Sequence, residues 1–271
     1  MSKILFRNFL FFPILLFFAY STYLSASDIL PNNPKINSIN VSLGLPTDKD
    51  TTNDYIIYRK QYVLSYNKLR NIANWVAWEL NASWFGDVAR YKGNFITDTS
   101  LPAGYYRVKH SDYTNSGYDR GHMVMSEERT STGVDNMATF ILSDILPQTP
   151  DLNRGVWLNF EKFCNGMALK QGKELFIYAG GVFHTSTTIG NGIAVPDSCW
   201  KKIVVVLEKG QSLKDVTAKT IVYSVMMPNI AGIRSDSWDK YKTTIRKIEY
   251  STGYDFLGLV SKPIRDILDN K

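Results

Sequence analysis

The sequence predicts an α+β fold, with a mainly antiparallel sheet core and packed helices. Six short runs of apolar, β-branched and aromatic residues read as buried strands: Tyr62–Tyr66, Trp75–Leu80, Ala138–Leu142, Leu175–Ala179, Ile203–Leu207 and Ile221–Met226. From Asn153 onward, Val156, Trp157, Phe160, Phe163, Cys164, Met167 and Ala168 recur at three- and four-residue spacing, forming one apolar helix face. Strands and helices interleave without regular βαβ alternation, which argues against a parallel sheet.

In chain order, residues 1–27 read as a signal peptide. Lys3 and Arg7 form a basic start, an apolar stretch runs from Phe9 to Tyr20, and Ser25-Ala26-Ser27 offers small residues for cleavage. An uncleaved membrane anchor is the rival reading, although Pro13 interrupts the run; either way the domain is exported, to a secreted or periplasmic location. Residues 28–54 form a polar, turn-rich lead-in. No repeat, low-complexity block or Pro/Gly/Ser linker follows, so residues 55–271 are one domain. Gly180-Gly181, Glu208–Gln211 and Pro228-Asn229 punctuate the strands as turns. Thr149-Pro150-Asp151 supplies capping residues and a first-turn proline for the helix at Asn153. A second helix is expected over Ser237–Tyr250, with Trp238, Tyr241, Ile245 and Ile248 along one side.

Of the 271 residues, 44% are hydrophobic and 13% aromatic, which excludes a disordered chain. The net charge is +6, and without Lys3 and Arg7 an excess of four positive charges remains. That suits a polyanionic substrate without identifying one. Cys164 and Cys199 could pair in an oxidising compartment or be buried thiols. No Cys-x-x-Cys or Cys/His cluster suggests zinc.

Three histidines are present: His110, His122 and His184. Only His122 lies in a site-like context, Tyr118-Asp119-Arg120-Gly121-His122-Met123. A neutral imidazole takes a proton from water near pH 7, Arg120 can grip a phosphate with two parallel hydrogen bonds, and Gly121 permits close approach. A lone histidine is more often a structural, hydrogen-bonded residue, and His110 and His184 are read that way. Downstream stand Leu146-Pro147-Gln148 and Asn153-Arg154-Gly155-x-Trp157-x-x-x-Glu161. An amide oxygen in a first helical turn can ligate Mg²⁺, and a carboxylate two turns on can hold one of the ion's waters. The plain alternative makes Asn153 a cap, Trp157 core and Glu161 a solvated residue.

Taken together, these segments resemble the DNA/RNA non-specific endonucleases. Tyr66-Asn67, Trp75-Val76-Ala77-Trp78, Arg90, Phe95, Asp98, Asp112-Tyr113, Val195-Pro196, Trp200-Lys201, Ile248-Glu249 and Thr252-Gly253 fall in the family's order, so the resemblance covers nearly all of residues 62–260. It implies a ββα-metal (His-Me finger) nuclease fold and a Mg²⁺ cofactor, with Mn²⁺ as a substitute. The implied substrates are DNA and RNA, cut with little sequence preference to leave 5′-phosphate and 3′-hydroxyl ends. His122 would be the general base, Asn153 the metal ligand and Glu161 the residue ordering the metal's waters. Arg120 and Arg90 would bind phosphate oxygens, with Asp119 and Arg154 as further substrate contacts. No stable membrane association is expected once residues 1–27 are removed, and a homodimer is left open.

Two positions depart from the family. Asp144 stands where it usually has Asn, and Asn165 stands where an arginine commonly follows the glutamate by four residues. Position 165 is expected to project from the same flank as Glu161, so one phosphate contact is missing or comes from elsewhere. Two other functions compete: a catalytically silent nucleic-acid-binding relative, against which the retained His122, Asn153 and Glu161 speak, and a cysteine hydrolase using Cys164 or Cys199 with His110 or His184. Cys164 on the apolar helix face predicts an inert thiol.

Overall fold

A computed structural model describes residues 38–271, so the expected signal segment and the start of the lead-in lie outside the described residues. The strands are β1 (Tyr55–Tyr58), β2 (Val63–Asn67), β3 (Ile72–Leu80), β4 (Asp119–His122), β5 (Ile145–Gln148), β6 (Glu174–Val182), β7 (Thr188–Ile189), β8 (Ile193–Ala194), β9 (Ser198–Leu207) and β10 (Ile221–Pro228). The helices are α1 (Gly133–Ala138), α2 (Leu158–Lys170), α3 (Ile245–Thr252) and α4 (Lys262–Leu268). Six strands form one sheet in the order β1-β2-β3-β6-β9-β10, antiparallel at every pairing. The mixed α+β architecture expected from the sequence is therefore present.

Both sheet faces are covered, which is why its strands read as continuous apolar runs rather than alternating ones. Val76, Trp78 and Leu80 of β3 and Leu175, Ile177 and Ala179 of β6 face α2, which contributes Phe160, Cys164, Met167 and Ala168. Trp75, Ala77, Phe176 and Tyr178 face the opposite layer, with Ile245 and Ile248 of α3, Leu268 of α4 and Phe256. Trp75, Trp78, Trp157 and Trp200 are among the largest fully buried side chains. Each such aromatic removes about 150–250 Å² from water, roughly 4–6 kcal/mol of gross transfer free energy at ~25 cal/mol/Å². Helix propensity differences of a few tenths of a kcal/mol per residue cannot compete with that, so packing decides the local conformation.

Four expectations are corrected. Ala138–Leu142 is not a strand: Thr132 Oγ1 accepts the Asp135 N–H at 3.1 Å and starts α1, which ends at Ala138, and Ile141 touches extended chain only through one bridge to Ile96. Gly180-Gly181 is not a turn but lies inside β6, because a Cβ on Gly180 would come within 2.6 Å of the Trp200 indole. The helix over Ser237–Tyr250 divides into a 3-10 turn at Trp238–Tyr241 and α3. Between them the Thr243 N–H donates to Ser224 O at 2.9 Å, and Thr244 Oγ1 caps α3 by accepting the Lys247 N–H. The helix from Asn153 is broken at Gly155, whose backbone (φ −117°, ψ −109°) is not helical.

Cys164 and Cys199 are both buried and unbridged. Burial pushes the Cys199 thiol up to about 12 and Cys164 in the same direction, so neither is a thiolate nucleophile near neutral pH. Among the described residues no helix is long and apolar enough to cross a membrane.

Candidate active site

Three local elements build the site. Strands β4 and β5 pair antiparallel, with Asp119 opposite Gln148 and His122 opposite Ile145. Glycine at 121 leaves room for Gln148, since a Cβ there would lie 2.2 Å from the Gln148 side-chain oxygen and force that buried side chain to move. After β5 the chain turns into a short helical segment, with Thr149 Oγ1 accepting the Leu152 N–H at 3.3 Å and Pro150 at its first position. Leu152–Trp157 then form a widened turn that breaks at Gly155, where a Cβ would stand 2.5 Å from the Arg234 carbonyl oxygen. Asn153 lies before the break and Glu161 after it, on α2. The strand–strand–helix unit encloses a cleft of about 380 Å³.

All seven residues singled out in the sequence line that cleft: Arg90, Asp119, Arg120, His122, Asn153, Arg154 and Glu161. Their partners divide them into groups with different chemistry.

The His122 ring packs edge-on against Phe140, with centroids 5.0 Å apart, and tilted against Phe95 at 5.2 Å. Its Nε2 is enclosed without a hydrogen-bond partner. Burial, with the positive charges of Arg90 and Lys201, pushes its pKa down to about 3, so the imidazole is neutral at pH 7.

Asp119 organises its neighbours. It accepts Asn153 Nδ2 at 2.9 Å, and Arg154 grips both its oxygens, through Nε at 2.7 Å and Nη2 at 2.5 Å. Burial alone would raise its pKa, but the hydrogen bonds from Arg154 and Asn153 outweigh it and hold the carboxyl below the usual range. With the amide nitrogen of Asn153 pinned, its Oδ1 is left as the uncommitted end, a hard oxygen ligand. Asp119 thus engages both Arg154 and Asn153, which the motif alone did not show. Among the described residues no three His, Cys, Asp or Glu side chains converge into a metal cage. A single amide oxygen suits a cation that keeps most of its waters, as Mg²⁺ does.

The cations also differ. Arg90 hydrogen-bonds to Ser126 and lies 4.8 Å over the Phe140 ring. Arg120 donates one nitrogen to His110 O at 2.7 Å and stands over Phe95 and Tyr113. Glu161, buried, accepts Lys201 Nζ at 2.8 Å. Burial raises the Glu161 carboxyl while Lys201 opposes the rise. Sequence assigns Lys201 no role beyond its place in Trp200-Lys201, ahead of the apolar run Ile203–Leu207.

The two departures also have structural accounts. Asp144 is fully buried, with the Val124 N–H 3.3–3.4 Å from its oxygens. Burial pushes its carboxyl well above the usual range, and a protonated carboxyl offers one donor and one acceptor, as an amide does. Asn165 does not reach the cleft: it is 7% exposed, its Nδ2 rests on Met125 Sδ at 3.8 Å, and its Oδ1 has no partner. The expected projection towards phosphate is thus corrected, and Arg90 is the cation on this side, close enough to Glu161 to feel its charge. His110 Nδ1 accepts the Phe95 N–H at 3.1 Å, a structural role, and His184 is exposed.

Residues 42–262 match the family described as DNA/RNA non-specific endonuclease. A nuclease of Nostoc sp. (strain PCC 7120) is 43% identical over 238 residues, 86% of each chain. Mitochondrial endonuclease G of Homo sapiens is 29% identical over 212 residues, 73% of this chain and 68% of that one. The solved structure of an EndoG/EndoGI complex superposes with a TM-score of 0.70 at 24% identity, covering 82% of this chain and 91% of that chain. That likeness establishes the shared fold.

Proposed function

The chain belongs to the DNA/RNA non-specific endonucleases, and from that premise we propose that it is a secreted enzyme that hydrolyses internal phosphodiester bonds of DNA and RNA with Mg²⁺, using His122 as general base. The observation that carries this reading is the meeting, in one cleft, of an uncharged His122, the oriented amide of Asn153 and the cations Arg90 and Arg120.

In the proposed reaction His122 takes a proton from water, the hydroxide oxygen bonds to phosphorus in line, and the bond to the 3′-oxygen breaks; the departing 3′-oxygen takes a proton from solvent water, and His122 returns its own to solvent. The products carry a 5′-phosphate and a 3′-hydroxyl. Asn153 Oδ1 would hold the Mg²⁺, with Glu161 ordering its waters; when bound, the ion supplies positive charge for the phosphate and the leaving oxygen. Arg90 and Arg120 add charge that counts most as the transition state forms. Contacts to phosphate and sugar carry no direct base information, so cutting is indifferent to sequence. Residues 1–27 would direct export; N-terminal sequencing of protein recovered outside the cell tests that part.

Digestion of double-stranded DNA, single-stranded DNA and RNA tests the rest. Cleavage of all three with Mg²⁺ or Mn²⁺, and none in EDTA, is expected, with ends that a ligase joins without prior phosphorylation. Activity undiminished by EDTA, or no cleavage in Mg²⁺, refutes the proposal.

A further inference from the structure

Behind the cleft lies a buried cation that the proposed reaction does not use. Lys201, in β9, is 1% exposed and donates to Glu161 Oε1 at 2.8 Å. Its ammonium lies 4.9 Å from the Trp157 ring centroid and 5.1 Å from that of Trp78. A bulge aims it there. Ala179 pairs with Lys201 but Tyr178 pairs with Ile203, so β9 carries one extra residue at this point. In consequence Cys199 and Val204 face the α2 side while Trp200 and Val205 face the other layer, and Lys201 joins Trp78 and Trp157 on the α2 side.

A buried ion pair is a poor source of stability, because desolvating two charges offsets most of their attraction. An apolar side chain could fill the space between two indoles without that cost. What the pair supplies is geometry. Glu161 lines the cleft, so a carboxylate fixed from behind through one oxygen has the other to offer. Trp157 ends the widened turn that carries Asn153. Trp157 and Glu161 both follow the Gly155 break, so one ammonium holds the last residue of that turn and the first part of α2 against the sheet.

We propose that Lys201 is a positioning residue for phosphodiester cleavage: through Glu161 and Trp157 it sets the Glu161 carboxylate and the Asn153 turn in fixed relation, so that both serve the same hydrated cation. The proposal rests on the metal-dependent reading above.

The test uses wild type, Lys201→Met, Lys201→Arg, Glu161→Gln and the Lys201→Met/Glu161→Gln double variant. Folding is followed by circular dichroism, Mn²⁺ binding by calorimetry without nucleic acid, and kcat and KM on plasmid DNA. Lys201→Met is expected to weaken Mn²⁺ binding and to lower kcat, each about tenfold or more, with KM changed by less than about threefold. The double variant should be no worse than the poorer single one, since both changes break one unit. Lys201→Met binding Mn²⁺ and turning over within about twofold of wild type overturns the proposal, as do losses that multiply in the double variant. Should Lys201→Met fail to fold, Lys201→Arg decides. Its longer planar head cannot take the same place between the indoles, so Mn²⁺ affinity and kcat drop by about threefold or more, and wild-type values overturn the proposal. A wild type that neither cleaves nor binds Mn²⁺ sinks the metal-dependent reading and this one together. An active wild type matched by its Lys201 variants sinks this one alone.

Discussion

Asp119→Ala separates orientation from charge at the proposed metal site. Asp119 makes a partly buried, charge-assisted hydrogen bond to Asn153 Nδ2 and a forked pair with Arg154, whose side chain is 61% exposed. The exposed pair contributes little, roughly 0.2–1 kcal/mol after screening by solvent. The bond to Asn153 is of the charge-assisted kind, about 1.5–3 kcal/mol, and its loss frees the amide to rotate. At about 1.4 kcal/mol per factor of ten, the Mg²⁺ concentration for half-maximal activity should rise about 10- to 100-fold. Turnover at saturating Mg²⁺ should stay within a few-fold of wild type. Arg154→Ala serves as control and should shift the Mg²⁺ curve by less than about fivefold. The assay is relaxation of supercoiled plasmid at saturating DNA across a Mg²⁺ series. An unchanged midpoint in Asp119→Ala, or an equal shift in Arg154→Ala, would refute the view that Asp119 acts by orienting Asn153.

Other substitutions report on single features. His122→Ala should cost about 10²–10⁴-fold in kcat with near-wild-type circular dichroism and Mn²⁺ binding; retention of more than a tenth of the rate would remove His122 as the base. Asn153→Ala should lose activity that raised Mg²⁺ partly restores, and a Mg²⁺ curve unchanged in shape and height would count against Asn153 as ligand. Burial pushes Glu128 up from 4.5 to about 7, so the fold favours its neutral form; that stability, roughly 3 kcal/mol, is complete below pH 4.5 and is lost as pH rises through 7. The Tm of wild type should therefore fall by several degrees more between pH 5 and 8 than that of Glu128→Gln, and parallel Tm curves would contradict the shift. Asn165→Arg should lower Tm and leave kcat/KM no higher, since the position is packed beneath Met125; a faster enzyme would show that the added cation does reach the phosphate.

The sequence reveals different parts of this protein for different reasons. Strands β2, β3 and β6 are legible because their residues are buried from both sides, and β9 and the partly exposed edge strand β10 because Ile203–Leu207 and Ile221–Met226 are unbroken apolar runs. Strands β4 and β5 are short and partly polar, Asp119–His122 and Ile145–Gln148, so periodicity misses them. There the residue types needed for chemistry mark the place instead. Tertiary contacts account for what stayed hidden. Gly155 is unremarkable in sequence, since only the Arg234 backbone pressing against it explains the break. Gly180-Gly181 mimics a turn because nothing local announces the Trp200 indole lying over it. Asp119 looks like a substrate contact until its hydrogen bonds to Asn153 and Arg154 are seen.

The break at Gly155 also links a distant stretch of chain to the reaction. Asp151 accepts the Gly232 N–H at 2.7 Å and Arg234 Nε at 2.9 Å, while Asn229 donates to Pro147 O and accepts the Thr149 N–H. The loop after β10 is thus a mould in which the Asn153 turn is cast, although it contributes no group to the cleft. Changes of length or backbone shape between residues 229 and 236 should therefore act on metal affinity as changes beside Asn153 would.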